Sequence, residues 1–345
     1  MTHKERFHAT VERKPVDRPA SWLGLPVPDS LPGLYDRFDV NSISELRNAV
    51  NDDVFPVEMP CNFPGSDAIY SALKFAKPGK NRERTLTAPG FFEYYEDPSK
   101  INDFDWPDPK KYIFPEECLA AAEAAAAEAA DDRAVMGILW SAHFQDACSA
   151  FGMEASLMKM IEEPEMYRAV IDRITEFYLD ANKIFYEATK GKIDAVLIGN
   201  DFGSQTGLML SPALIREFVI PGTKELIKQA KEYGLKIIYH SCGAISDVID
   251  DLITAGVDVI HPIQALASGM EPHVLKERFG DRVSFCGGVD AQFLLVRGKP
   301  DDIKAKVREL KTLFPTGLII SPSHEAILPD ISPENIKALF EAIHE

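Results

Sequence analysis

The side chains able to do chemistry gather in a few short segments. His240-x-Cys242 ends the apolar run LKIIYH (235–240). Residues two apart on a strand project to the same side. An imidazole and a thiolate placed there can reach one soft divalent cation, for which Zn²⁺ is the natural candidate. The plain alternative is a neutral rim histidine beside a small buried thiol. Asp201, in N-D-F-G-S-Q (200–205), follows another apolar run, and a carboxylate there suits substrate hydrogen bonding or acid/base work. Its alternative role is an Asx turn or N-cap that ends the strand. Asp290 in C-G-G-V-D has the same ambiguity, and Gly287-Gly288 before it suggest close approach of a ligand or of another backbone. His143 and Gln205 join Asp201 as candidate catalytic groups. Asn200, Trp140, Gln264, Gly287, Gly288 and Asp290 are candidates for substrate or cofactor binding. For His143 and His261 the bland reading is a satisfied rim histidine, and for Trp140 it is a core residue.

These segments share a position relative to the elements that must carry them. From residue 134 onward, apolar runs alternate with amphipathic stretches. The runs are AVMGILW (134–140), DAVLIG (194–199), LKIIYH (235–240), VDVIHP (257–262), RVSFCGG (282–288) and GLIISPS (317–323). Helices are predicted over 147–161, 164–190, 211–233, 244–255, 271–279, 300–313 and 333–344. Ser211-Pro212 and Ser332-Pro333 supply N-cap serines ahead of proline at the first helical position. Near-continuous apolar strands are buried on both faces, which means a parallel sheet covered by helices. Six such units, with one or two strands from the first third, make a (β/α)₈ TIM barrel of class α/β. In that fold, chemistry sits where strands end, and every candidate above falls at or near a strand end. A doubly wound sheet is the alternative, but no G-x-G-x-x-G or P-loop follows any of these runs.

Residues 1–115 form a proline-rich, elaborated N-terminal region of one barrel domain spanning 1–345. There, a helix is predicted near 42–50, with strands near 53–58 and 84–95. A further helix, built from alanine and glutamate, is predicted over 120–130. The formal net charge of −17 excludes bulk electrostatic coating of nucleic acid or anionic membrane. No secretory leader and no membrane-length apolar run is present, and five cysteines do not make a disulfide framework. The expectation is therefore a cytoplasmic protein. An apolar edge in the first third could serve a homodimer.

The motifs N-D-F-G-S-Q-T (200–206), S-P-A-L-I-R-E-F (211–218), H-S-C-G (240–243), G-V-D-V-I-H-P-I-Q (256–264), F-C-G-G-V-D (285–290) and S-P-S-H-E (321–325), in this order, resemble the uroporphyrinogen decarboxylase superfamily. The resemblance implies one of two activities. One is cofactor-free decarboxylation of a tetrapyrrole. The other is zinc-dependent methyl transfer between a small substrate and a corrinoid carried by a partner protein. The decarboxylase branch carries an early arginine cluster, whereas this chain has R-P-A-S-W-L-G (18–24). The strand-end segments S-A-H-F-Q-D (141–146), N-D-F-G-S-Q (200–205), H-S-C-G (240–243), H-P-I-Q (261–264), C-G-G-V-D (286–290) and S-P-S-H-E (321–325) contain no Arg or Lys, and a polyanionic substrate would need several. The resemblance therefore implies the methyltransferase branch, with His240 and Cys242 as zinc ligands. His324 stands where that branch has a cysteine, Glu325 is an alternative ligand and Cys286 a fallback. A small methyl donor or acceptor would bind at the open metal position. The chain lacks a D-x-H-x-x-G signature, so the corrinoid would come from a partner. Two other readings remain open: a metal-free decarboxylase acting on a small acid or tetrapyrrole, with Asp201 as the acid/base, and a non-catalytic barrel subunit.

Overall fold

The computed structural model describes residues 1–75, 88–129 and 132–345. Its main sheet has eight parallel strands: β1 Ala20–Ser21, β2 Val54–Glu58, β3 Ala134–Trp140, β4 Ala195–Gly199, β5 Lys236–His240, β6 Val259–Ile263, β7 Ser284–Val289 and β8 Leu318–Pro322. From β2 to β8 each strand pairs with the next in chain order, and β1 pairs back to β8 through Ala20↔Ile319 and Ser21↔Ile320. The remaining seam, between β1 and β2, is closed by Asp53. Its N–H donates to the Ser21 carbonyl (2.9 Å), and its carboxylate accepts from Ser21 N (2.8 Å) and Oγ (3.0 Å). Beside it, Asp52 Oδ2 accepts from Leu23 N at 2.9 Å. The result is the (β/α)₈ barrel that the alternation of runs predicts, with β1 and β2 drawn from the proline-rich first third.

Two-residue alternation sorts the strand side chains. Met136, Ile138, Ala195, Leu197, Ile238, Val259, Cys286 and Ile319 fill the barrel, together with Phe7 and Val11 of the helix His3–Val11. Their sequence neighbours, among them Val135, Val196, Ile237, Tyr239, Ile260, Phe285 and Ile320, face the surrounding helices. The longest helix, Pro164–Ala188, starts on a proline that cannot offer the N–H a first turn leaves unused.

Some predicted elements change. The stretch 147–161 is two helices, His143–Phe151 and Met153–Glu162, broken at Gly152 with φ +87°. The helix expected over 211–233 carries a π turn at Ile215–Val219 between Pro212–Leu214 and Ile220–Glu232. That expected over 244–255 begins only at Ile249. The alanine-rich helix runs Pro115–Glu128, and Ala130 lies outside the described residues. Of the strand expected over 84–95, residues 84–87 lie outside the described residues, and the remainder is mostly turn. No described helix is long and apolar enough to cross a membrane.

Candidate metal centre

Strand ends and the loops after them bring two groups together around His240: Asp201, His240 and Cys242, and His240, His261 and Glu325. On β5, Ile238 faces the barrel interior, so His240 two residues on faces inward too; on β6, Val259 does the same for His261. The β5–β6 register pairs His240 directly with His261, and the two rings meet with Nδ1···Nδ1 at 2.9 Å. Neighbouring β4 ends at Gly199, where a Cβ would lie 1.9 Å from the His240 carbonyl oxygen; only glycine lets the strands approach this closely. The chain then turns through Asn200 and returns with Asp201, whose Oδ1 accepts the Cys242 N–H at 2.8 Å. On the next loop, Gln264 Oε1 accepts the Gly243 N–H at 2.7 Å, fixing the other side of the cysteine turn.

His240 thus has two occupied edges. Its Nε2 lies 3.3 Å from Asp201 Oδ1 and 3.5 Å from Cys242 Sγ. Its Nδ1 faces His261, with Glu325 Oε2 at 3.5 Å. The donor atoms of Asp201, His240 and Cys242 all lie within 4.8 Å of one another, as do those of His240, His261 and Glu325. Burial works against charge on His240, but hydrogen bonds to Asp201 and Cys242 and the charge of Glu325 carry its pKa well above the ordinary imidazole range. Burial also opposes the Cys242 thiolate, yet His240 and His324 outweigh it and bring the thiol below its usual value. For Asp201 the same contest against burial is won by His240 and the Cys242 N–H, and its pKa falls. The hydrogen bond to Cys242 raises His324, whereas burial, reinforced by the two other histidines, drives His261 well below the ordinary range.

This chemistry fits a divalent metal. The site favours the thiolate, the form that ligates metal, and sets it beside an imidazole nitrogen and a carboxylate oxygen, a borderline-soft set suited to Zn²⁺. Glu325 Oε2 is buried without a hydrogen-bond partner, a polar atom with unused capacity beside the group. The set differs from the expected His240–Cys242–His324. The Ala326 N–H donates to His324 Nδ1 at 3.0 Å, so the proton of a neutral His324 ring sits on Nε2. With that tautomer the ring has no lone pair left for a metal, and it acts instead as a donor toward Cys242. Asp201 takes the third place in the close-set group.

Other expected site residues fall on both sides of the line. Trp140 stands at the rim with φ +58°, an uncommon conformation for a bulky residue, and its ring meets His240 edge-on at 5.3 Å. His143 is fully buried, with Nε2 3.0 Å from the Val219 carbonyl, and burial lowers its pKa. Its ring ties the start of the helix His143–Phe151 to the π turn. Asn200 is buried and accepts the Phe144 N–H at 2.8 Å, and Gln205 is exposed on its loop. Asp290 receives the N–H groups of Gln292, Phe293 and Leu294, which makes it a local cap. Gly287 and Gly288 have positive φ; a Cβ at Gly287 would lie 2.7 Å from Ile263 N, a close approach to another backbone, and one at Gly288 would lie 3.1 Å from the Leu310 side chain. Cys286 points into the barrel interior with its Sγ 3.4 Å from Ser321 Oγ, and burial pushes its thiol up to about 12.

A cavity of about 400 Å³ opens over the cluster, lined by Asp201, His240, His324, Glu325, Trp140 and, from other elements, Tyr70, Gln145, Asp146 and Tyr178 among others. Sequence reasoning missed several of these. Gln145 belongs to the rim segment S-A-H-F-Q-D, where it was open to notice, and its amide brackets Asp201 through Oε1 and Nε2. Tyr70 and Tyr178 lie on a short turn of the N-terminal region and on the long helix Pro164–Ala188, where no local pattern marks them. Tyr178 OH donates to Asp146 Oδ2 at 2.5 Å.

Comparison with known proteins places this geometry in a family. The family described as Uroporphyrinogen decarboxylase (URO-D) matches residues 83–345. Among curated proteins, a uroporphyrinogen decarboxylase from Syntrophotalea carbinolica is 27% identical over 187 residues, covering 54% of this chain and 50% of the relative. Another from Citrifermentans bemidjiense is 29% identical over 203 residues, covering 55% and 52%. The aligned region thus spans about half the length of these curated relatives. Among solved structures, a methyltransferase from Methanosarcina mazei superposes with a TM-score of 0.70 at 20% identity, over 100% of this chain and 98% of that one. The likeness is one of fold.

Proposed function

The chain belongs to the uroporphyrinogen decarboxylase family, and on that footing we propose that it is a zinc-dependent methyltransferase that exchanges a methyl group between a small substrate and a corrinoid protein. One observation carries the reading: a thiolate-forming cysteine, an imidazole nitrogen and a carboxylate converge within 4.8 Å at the C-terminal mouth of the barrel. His240 through Nε2, Cys242 through Sγ and Asp201 through Oδ1 would hold the ion. When bound, zinc acts as a Lewis acid that lowers the pKa of a substrate thiol or polarises a heteroatom bearing the methyl group.

The chain's own residues do the rest. Asp201, held by Gln145 and by the Cys242 N–H, fixes the cysteine turn relative to β5. His324 donates toward Cys242 from the solvent side and tempers the charge of the thiolate. Trp140 walls one flank and limits water around His240. The cavity of about 400 Å³ over the cluster has room for a small molecule and shares Tyr70, Gln145, Asp146, Ser149 and Asp201 with a second cavity of about 550 Å³; the corrinoid would approach from outside on its own protein.

The relatives' names suggest uroporphyrinogen decarboxylation, which needs cations arrayed for the substrate's carboxylates. Arg18, in the segment that corresponds to the decarboxylase arginine cluster, is spent at the opposite end of the barrel, with Nη1 2.7 Å from Asp53 Oδ2. The described residues lining the cavity over the cluster include no Arg or Lys, and those lining the adjoining cavity include one cation, Lys74. The test is elemental analysis of freshly purified protein, followed by methyl transfer assayed against methylated corrinoid with small thiols. About one equivalent of zinc and chelator-sensitive transfer support the reading; metal-free protein refutes it.

A further inference from the structure

We infer that His261 is the positioning residue of the metal centre: its Nδ1 accepts the Nδ1–H of His240 and so commits His240 Nε2 to the cation. The inference rests on the ligand set proposed above. An imidazole that gives one nitrogen's lone pair to a metal is neutral and carries its proton on the other. The metal-facing nitrogen of His240 is Nε2, 3.3 Å from Asp201 Oδ1 and 3.5 Å from Cys242 Sγ. Its proton therefore belongs on Nδ1 and needs an acceptor there. His261 Nδ1 stands 2.9 Å away, a hydrogen-bond distance, whereas Glu325 Oε2 is farther, at 3.5 Å. Two nitrogens at 2.9 Å share one proton, so His261 Nδ1 is the bare acceptor and the His261 proton sits on Nε2.

That second nitrogen makes the case specific. His261 is fully buried, its Nε2 has no hydrogen-bond partner, and its ring packs against the edge of Trp22 at 5.3 Å. An unsatisfied N–H inside an apolar barrel costs stability, and an aliphatic residue would avoid that cost. The imidazole therefore serves at its other nitrogen, where β6 aims it at His240 through the paired register. A hydrogen-bond partner of this kind orients a ligating histidine, fixes its tautomer and raises its basicity.

The test uses the full chain stripped of metal and titrated with Zn²⁺ against a chromophoric chelator, with thermal unfolding alongside. Wild type, Cys242→Ala, His261→Asn and His261→Leu are compared. Asparagine places an amide oxygen near the position of Nδ1; leucine has similar size and no acceptor. His261→Leu should bind zinc about 10–100-fold more weakly, while His261→Asn stays within about threefold of wild type. Neither should unfold at a lower temperature than wild type by more than a few degrees. If leucine does not fold, His261→Gln replaces it; its amide reaches the Nε2 position instead, and the same weakening is expected. Wild-type affinity in His261→Leu alongside loss in Cys242→Ala overturns the role of His261 and leaves the ligand set intact. Equal loss in asparagine, leucine and Cys242→Ala makes His261 a ligand and also overturns it. Wild type that binds no zinc overturns the ligand set and this inference together.

Discussion

Asp53 closes the barrel, and its replacement by asparagine should both destabilise the protein and flatten its response to acid. The carboxylate is completely buried and accepts hydrogen bonds from His3 Nδ1 (2.7 Å), Arg6 Nη1 (2.6 Å), Arg18 Nη1 (2.7 Å), and Ser21 N and Oγ. Burial alone would raise its pKa, but hydrogen bonds from His3, Arg18 and Arg6 reverse that and hold it at about 2 against an ordinary 3.8. That difference is worth about 2 kcal/mol of stability at neutral pH. Because the folded pKa is the lower one, the contribution is complete above about pH 5 and is lost as pH falls through 3.8 toward 2. Between pH 7 and pH 3 wild type should lose about 1 kcal/mol from this group alone. In Asp53→Asn, Arg6 and Arg18 keep their positions with one anionic partner fewer, at a cost of about 3 kcal/mol at pH 7. The assay is urea unfolding of both proteins at pH 7 and pH 3. The stability gap between them should narrow by about 1 kcal/mol at the lower pH. A gap that is constant across this range, or that widens in acid, would refute the assignment of Asp53 as an ionised closing residue.

Three further outcomes follow from the site. Cys242→Ala should drop metal content from about one equivalent to near none with an unchanged circular dichroism spectrum, because a rim residue carries little core area; full metal retention would remove the cysteine from the ligand set. Asp201→Asn keeps an oxygen to accept the Cys242 N–H but loses the charge facing His240, so methyl transfer should fall by ~10²–10⁴-fold while the unfolding temperature stays near wild type; near-normal turnover would reduce Asp201 to a turn-former. Uroporphyrinogen should not be decarboxylated at enzymic rates of ~1 s⁻¹, since Arg18 is committed to Asp53, and turnover at that rate, read by product chromatography, would return the protein to the decarboxylase branch.

The sequence by itself determined the barrel. Apolar runs such as AVMGILW and LKIIYH, alternating with amphipathic stretches, give the order of strands and helices, whereas the packing decides which parity of each strand faces the interior and so sends His240 inward. Strand ends then mark the rim, which is how Asp201, His240, Cys242, His324 and Glu325 were legible as neighbours. What only the tertiary structure decided is which of them meet. Asp201 and Cys242 lie on separate loops, and Asp201 rather than His324 joins the close-set group because the loops bring its carboxylate within 4.8 Å of both His240 and Cys242. His261, which reads from sequence as a bland rim histidine, becomes the partner of His240 through the β5–β6 register. Asp290 looks equally catalytic on paper, yet three backbone N–H groups consume its carboxylate. The physical reason is range. Periodicity and caps are set by residues within a turn or two of one another, whereas register between parallel strands depends on helices and loops of differing length, and a hydrogen bond made at 3 Å leaves no trace in the spacing of the residues that make it.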